Sequence, residues 1–85
     1  MLTYFFHPTA EKEIARLPLK EQGRIFVQMR ALCQLTHPLQ HRNVIKLEGG
    51  ENEFRLRVGN YRVKFTLRNK SSILVTHVEH RQVGY

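Results

Sequence analysis

The spacing of apolar residues changes partway along this 85-residue chain. In the first part they recur at helical intervals; later they alternate with polar residues, as in half-buried strands. The chain opens on a short β-prone run, residues 2–6, closed by His7-Pro8. Pro8-Thr9-Ala10-Glu11 then marks a helix start. Thr9 is the expected N-cap, and Glu11 and Glu13 put negative charge in the first turn, where it suits the helix dipole. Ala10, Ile14 and Leu17 share one face before Leu17-Pro18 breaks the run. The spacing predicts a second helix over residues 19–35, with Ile25, Phe26, Met29, Leu32 and Cys33 in a single stripe. Two helices divided by one proline make a hairpin that must pack on something apolar.

Thr36-His37-Pro38 ends the helical part. Residues 44–47 form a weak extended segment, closed by Glu48-Gly49-Gly50. Strands are predicted over residues 54–58, 61–67 and 73–78, and Gly59-Asn60 is a two-residue hairpin loop between the first two. That loop sets the register. Val58 faces Tyr61, Arg57 faces Arg62, Leu56 faces Val63, Arg55 faces Lys64 and Phe54 faces Phe65. Side chains alternate along a strand, so Phe54, Leu56, Val58, Tyr61, Val63 and Phe65 belong to the helix side, and Arg55, Arg57, Arg62 and Lys64 to the other. The expected fold is one α+β domain over residues 1–85. Its order is β-α-α-β-β-β, an antiparallel sheet with the N-terminal helical hairpin packed on one face.

Charge sharpens this picture. Fourteen Lys and Arg against seven Asp and Glu give a net charge of +7, and most of the excess falls after residue 35. A positive field concentrated in one half of a small domain points to a polyanionic partner. Within the hairpin, like charges stand directly opposite one another, which costs stability. Folding alone would not choose four cations there. The cluster becomes favourable when an anion lies among the charges, and guanidinium groups match phosphate oxygens in pairs.

Beyond the last strand come Glu79-His80-Arg81 and Tyr85, expected at a sheet end beside the cationic face. Arg81 would extend a phosphate clamp and Tyr85 would stack on an exposed base. His80 has a side chain suited to proton transfer near neutrality. His37 and His41 have Pro38 between them, no Cys, His or carboxylate set has metal-ligand spacing, and no phosphate-binding glycine loop is present. Any catalysis is therefore expected to need no metal and no small-molecule cofactor. The lone Cys33 fits a small buried hydrophobe in a reducing compartment. No segment has the apolar length to span a bilayer and the N-terminus does not resemble a signal peptide, so a cytoplasmic location with no membrane partner is expected.

Lys46-Leu47-Glu48-Gly49, the run from Phe54 through Gly59-Asn60 to Val63, and His80-Arg81 with Tyr85 together resemble the RelE/ParE toxin superfamily. The likeness includes the helical hairpin and its Leu17-Pro18 break. It implies a toxin of a bacterial or archaeal toxin–antitoxin pair, with a cognate antitoxin as partner. In the RelE-like branch it implies an endoribonuclease, acting on messenger RNA in the ribosome by 2′-hydroxyl attack. Arg62 and Arg81 would then hold the scissile phosphate, Tyr85 would orient the substrate nucleotide, His80 would join the catalytic set, and Arg55, Arg57, Lys64 and Lys46 would bind RNA phosphates. Arg55 and Arg57 stand where some members carry lysines. Arginine keeps its proton, so the base would be His80, Lys64, Glu79 or a ribosomal group. A ParE-like inhibitor of DNA gyrase, a binding protein and no nuclease, is the alternative the same fold allows. A non-toxic nucleic-acid-binding relative is a third.

Overall fold

The alternating segments build a five-stranded sheet, and one of its pairings is parallel. In the computed structural model, which describes residues 1–81, the chain forms β1 (Thr3–Phe6), α1 (Pro8–Ala15) and α2 (Leu19–Cys33). A 3-10 turn (Pro38–Gln40) leads into β2 (Val44–Lys46), β3 (Glu53–Val58), β4 (Tyr61–Leu67) and β5 (Ser72–His80). The sheet order is β1-β5-β4-β3-β2. The weak extended segment is thus an edge strand, and the sheet is mixed where an antiparallel one was expected, because the first strand lies parallel to the last. Among the described residues no helix is long and apolar enough to cross a membrane.

The residues expected on the helix side form the core. Phe54, Leu56, Val58, Val63 and Phe65 are buried and meet Ile14, Ile25, Met29 and Leu32 of the helices, with Ile73, Val75 and Val78 from β5. Cys33 is buried with them, and burial pushes its thiol above the ordinary value, so it stays protonated and inert. Phe54 and Phe65 stack with centroids 5.6 Å apart. Each buried side chain of this size contributes about 1.5–3 kcal/mol of transfer free energy.

Local signals explain most of the boundaries. The N-cap of α1 is His7, not Thr9: its Nδ1 accepts the Thr9 N–H at 3.1 Å, and Pro8 occupies the first helical position. At the break, the Gln22 side chain donates to the Leu17 carbonyl at 2.9 Å. α2 ends at Cys33, slightly before the expected residue 35. Between β3 and β4, Gly59 takes φ +58°, the sign a two-residue hairpin loop needs at its first position.

Two features decide which way β5 points its residues. The β4–β5 register shifts between Lys64 and Phe65: Phe65 faces Val75, yet Lys64 faces His77. That bulge inserts Thr76 and reverses the alternation beyond it. The second feature is the edge of β5 past Phe6, where β1 no longer runs alongside. There α1 takes over, and Glu13 Oε1 accepts the Val78 N–H at 2.9 Å, satisfying a strand donor with a helix side chain. His77 Nδ1 lies 3.6 Å from the same oxygen.

Candidate nucleic-acid interface

The hairpin pairs cation with cation, in the register its loop predicts. Arg57 stands opposite Arg62, and Arg55 opposite Lys64. All four occupy the sheet face turned away from the helices, since their neighbours Leu56, Val58, Val63 and Phe65 are buried on the other. Arg57 is exposed and the other three are half-buried. Arg81 is exposed next to this row, its backbone N–H bonded to the Asn60 carbonyl at 2.8 Å. Arg55, Arg57 and Arg81 have no ion-pair partner among the described carboxylates.

β5 completes the site differently from the expectation. Strand structure continues through Glu79 and His80, and the bulge assigns them to opposite faces. Glu79 lies opposite Arg62, on the cationic face, and its Oε1 is 3.0 Å from Lys64 Nζ. That oxygen is closed off from water and lies outside any hydrogen-bond direction, so the ammonium charge is what stabilises it. His80 lies opposite Tyr61, rings edge to face at 5.2 Å, on the side where Tyr61 packs against the core. The structure therefore separates His80 from the Arg62 row and brings Glu79 in. Lys64, one of the four cations expected to bind phosphate, is partly neutralised by that carboxylate.

Lys46 also departs from expectation. It stands opposite Phe54, so it shares the helix-side face and is not part of the cationic one. Its neighbour Ile45, opposite Arg55, is the β2 residue on the cationic face and is 47% exposed. Alternation from the apolar Val44 and Ile45 left that parity ambiguous. Tyr85 lies outside the described residues.

The chemistry of this face is electrostatic. Fixed guanidinium groups neutralise phosphate charge and do not trade protons near neutrality. Glu79 is the carboxylate among them, with Lys64 beside it. Among the described residues, no three His, Cys, Asp or Glu side chains gather as a metal-binding group. Elsewhere, His41 is held neutral: Nδ1 accepts the Asn43 N–H at 3.0 Å and Nε2 meets Gln28 Oε1 at 3.2 Å. Burial, and after it the Arg42 charge, holds its pKa below the ordinary histidine value.

Comparison with known proteins agrees with the fold. The family model described as ParE toxin of type II toxin–antitoxin system, parDE, matches residues 4–85. A chain of the RelB–RelE antitoxin–toxin complex from Methanococcus jannaschii is similar, with a TM-score of 0.78 at 25% identity, covering 94% of this chain and 93% of that one. The RelE–RelB complex from Pyrococcus horikoshii OT3 gives 0.75 at 25% identity, covering 96% and 97%. The Escherichia coli RelBE complex shares the fold at 0.75 with 19% identity, covering 94% and 96%. No curated protein sequence matches the chain significantly.

Proposed function

Since the chain belongs to the ParE toxin family of type II toxin–antitoxin systems, within the RelE/ParE superfamily, we propose that this toxin is an endoribonuclease cutting messenger RNA on the ribosome without a resident metal. One observation carries the reading: Arg57 and Arg62 face each other on the sheet face turned away from the helices, with Glu79 across from Arg62. Like-charged guanidinium groups held in register are matched to a phosphodiester, whose non-bridging oxygens gain negative charge in the transition state.

In this reading the ribose 2′-oxygen attacks the adjacent phosphorus while the bond from phosphorus to the 5′-oxygen breaks. The products are a 2′,3′-cyclic phosphate and a free 5′-hydroxyl. Arg62, Arg57 and Arg81 stabilise the phosphorane-like charge. Glu79 takes the 2′-hydroxyl proton and Lys64 protonates the leaving 5′-oxygen, a pairing suggested by their 3.0 Å contact. His80, on the Tyr61 side, gives way to Glu79 as the base of the reading, and serves to hold Tyr61 at the strand end. Tyr85 stacks on the substrate base, Arg55 binds a neighbouring phosphate, and Lys46 binds RNA only where the strand leaves the face.

A cognate antitoxin is part of the proposal. Two of the similar structures are complexes of RelE with RelB, and a chain of net charge +7 calls for an acidic segment to cover its basic face.

The test is cleavage of messenger on translating ribosomes by purified toxin. Arg62→Ala should slow cutting by about two to three orders of magnitude while the protein stays folded. Undiminished cutting by that variant would remove the cationic row from the mechanism. The second reading, inhibition of DNA gyrase, is favoured by the ParE character of the matching family model. Double-strand DNA breaks on expression, with messenger intact, would select it.

A further inference from the structure

A groove of about 480 Å³ opens where α2 passes the turn end of β3, and Arg57 borders both this groove and the cationic face. That volume is within the range of a small-molecule pocket. α2 supplies Gly23, Arg24, Val27 and Gln28, and Asn43 faces them from the segment before β2.

Gly23 is the unexplained residue. It lies inside a helix, where glycine is among the poorest formers, and it has neither a positive φ nor a close neighbour. A Cβ there would meet nothing within 4 Å. The fold itself gives no reason for glycine at this point, whereas a ligand lying close to the helix backbone does. Around it, Val27 is 51% exposed, an apolar surface that no described residue closes over. Arg24 Nη1 extends to the hairpin turn, 3.9 Å from where a side chain on Gly59 would begin, and its pairing with half-buried Glu21 is long, at 3.8 Å. The His41 bridge orients the Gln28 amide by its oxygen, and no described group takes up the Gln28 amide N–H or the Asn43 side chain.

We infer that this groove is a further nucleotide subsite, taking the RNA residue next beyond the dinucleotide that straddles the phosphate held at Arg57 and Arg62. Arg24 meets its phosphate, Val27 supports the base, and the Gln28 and Asn43 amides face the base edge, with Gly23 leaving room for the ribose. The inference rests on the ribonuclease reading and extends it. Two cations and two free amides favour a nucleotide over an acidic peptide, which would leave the amides unused.

Fluorescence anisotropy with labelled single-stranded RNA, 2′-deoxy at the cleavable position, tests it by comparing a dinucleotide with a hexanucleotide. The unaltered protein should bind the hexanucleotide at least about tenfold more tightly. Gly23→Leu should abolish that difference and leave dinucleotide binding unchanged. Arg24→Gln should lower the slope of log affinity against log salt by about 0.7, the release expected for one phosphate contact to a single strand. Gly23→Ala gives the sign test: Tm should rise by about 5 °C while hexanucleotide binding weakens, a split that a structural role would not produce. Hexanucleotide binding unchanged in both Gly23→Leu and Arg24→Gln would overturn the subsite while ribosomal cleavage still upholds the ribonuclease reading. Gly23→Leu losing its antitoxin but keeping RNA affinity would overturn it in favour of a peptide groove. A protein that neither binds RNA nor cuts messenger would overturn both.

Discussion

The two faces of the β3–β4 hairpin obey opposite rules on the same backbone. On one, Leu56, Val63 and Phe65 are closed beneath the helices; on the other, Arg57 meets Arg62 and Arg55 meets Lys64. The first face supplies the free energy that holds the ladder together. The second spends some of it, since like charges directly opposite destabilise a strand pair by a few tenths to about 1 kcal/mol. A domain of this length has a small core, so cations gathered in register on one face of it point to a role beyond stability. Position on one side of the pleat or the other, more than residue type along the strand, separates structure from function here.

That contrast can be broken from the covered side first. Phe65→Ala should cost about 3–5 kcal/mol, enough to unfold much of the population at 37 °C, as read by urea denaturation. A smaller loss follows at the β5 edge. Glu13→Ala leaves the Val78 N–H without its acceptor and should cost about 1–3 kcal/mol, whereas Glu13→Gln keeps an oxygen in place and should cost far less. If both variants cost the same, the carboxylate acts through charge on His77 and not through the strand hydrogen bond. From the open side the sign reverses. Arg57→Thr should raise stability by about 0.5 kcal/mol and weaken RNA binding, and a stability loss would show that the arginine pair is neutralised within the fold.

The smallest effect concerns pH. The His41 pKa is depressed by burial and by Arg42, so its stabilising contribution is complete above the unfolded-state value. It should disappear as the pH falls from about 6.5 through the folded-state pKa. His41→Gln should flatten that part of the stability profile, and an NMR titration placing His41 above the ordinary value would refute the neutral bridge between Gln28 and Asn43.

The hairpin was legible because two independent signals agreed. Gly59-Asn60 set the loop, and strict alternation on both sides of it set the faces. The helical hairpin was legible for the same reason, in stripe and proline. β5 was harder. Its apolar residues fall at 73, 74, 75 and 78, a run without clean alternation that hid the bulge turning Glu79 toward Arg62 and His80 toward Tyr61. Lys46 misled because β2 is only three residues long, too short for alternation to show parity. The parallel pairing of β1 left no local mark, since it depends on where the helical hairpin returns the chain, and the same holds for the His7 cap, a residue type outside the usual capping set.

The contact between the first strand and the last has a consequence for biosynthesis. β1 has no sheet to join until β5 has left the ribosome, and β5 carries Glu79, which stands across from Arg62. During its own translation the chain is therefore a helical hairpin with unclosed strands until β5 pairs with both β1 and β4. Until β5 docks, β4 is an open sheet edge, a strand that another segment can seize before the fold closes.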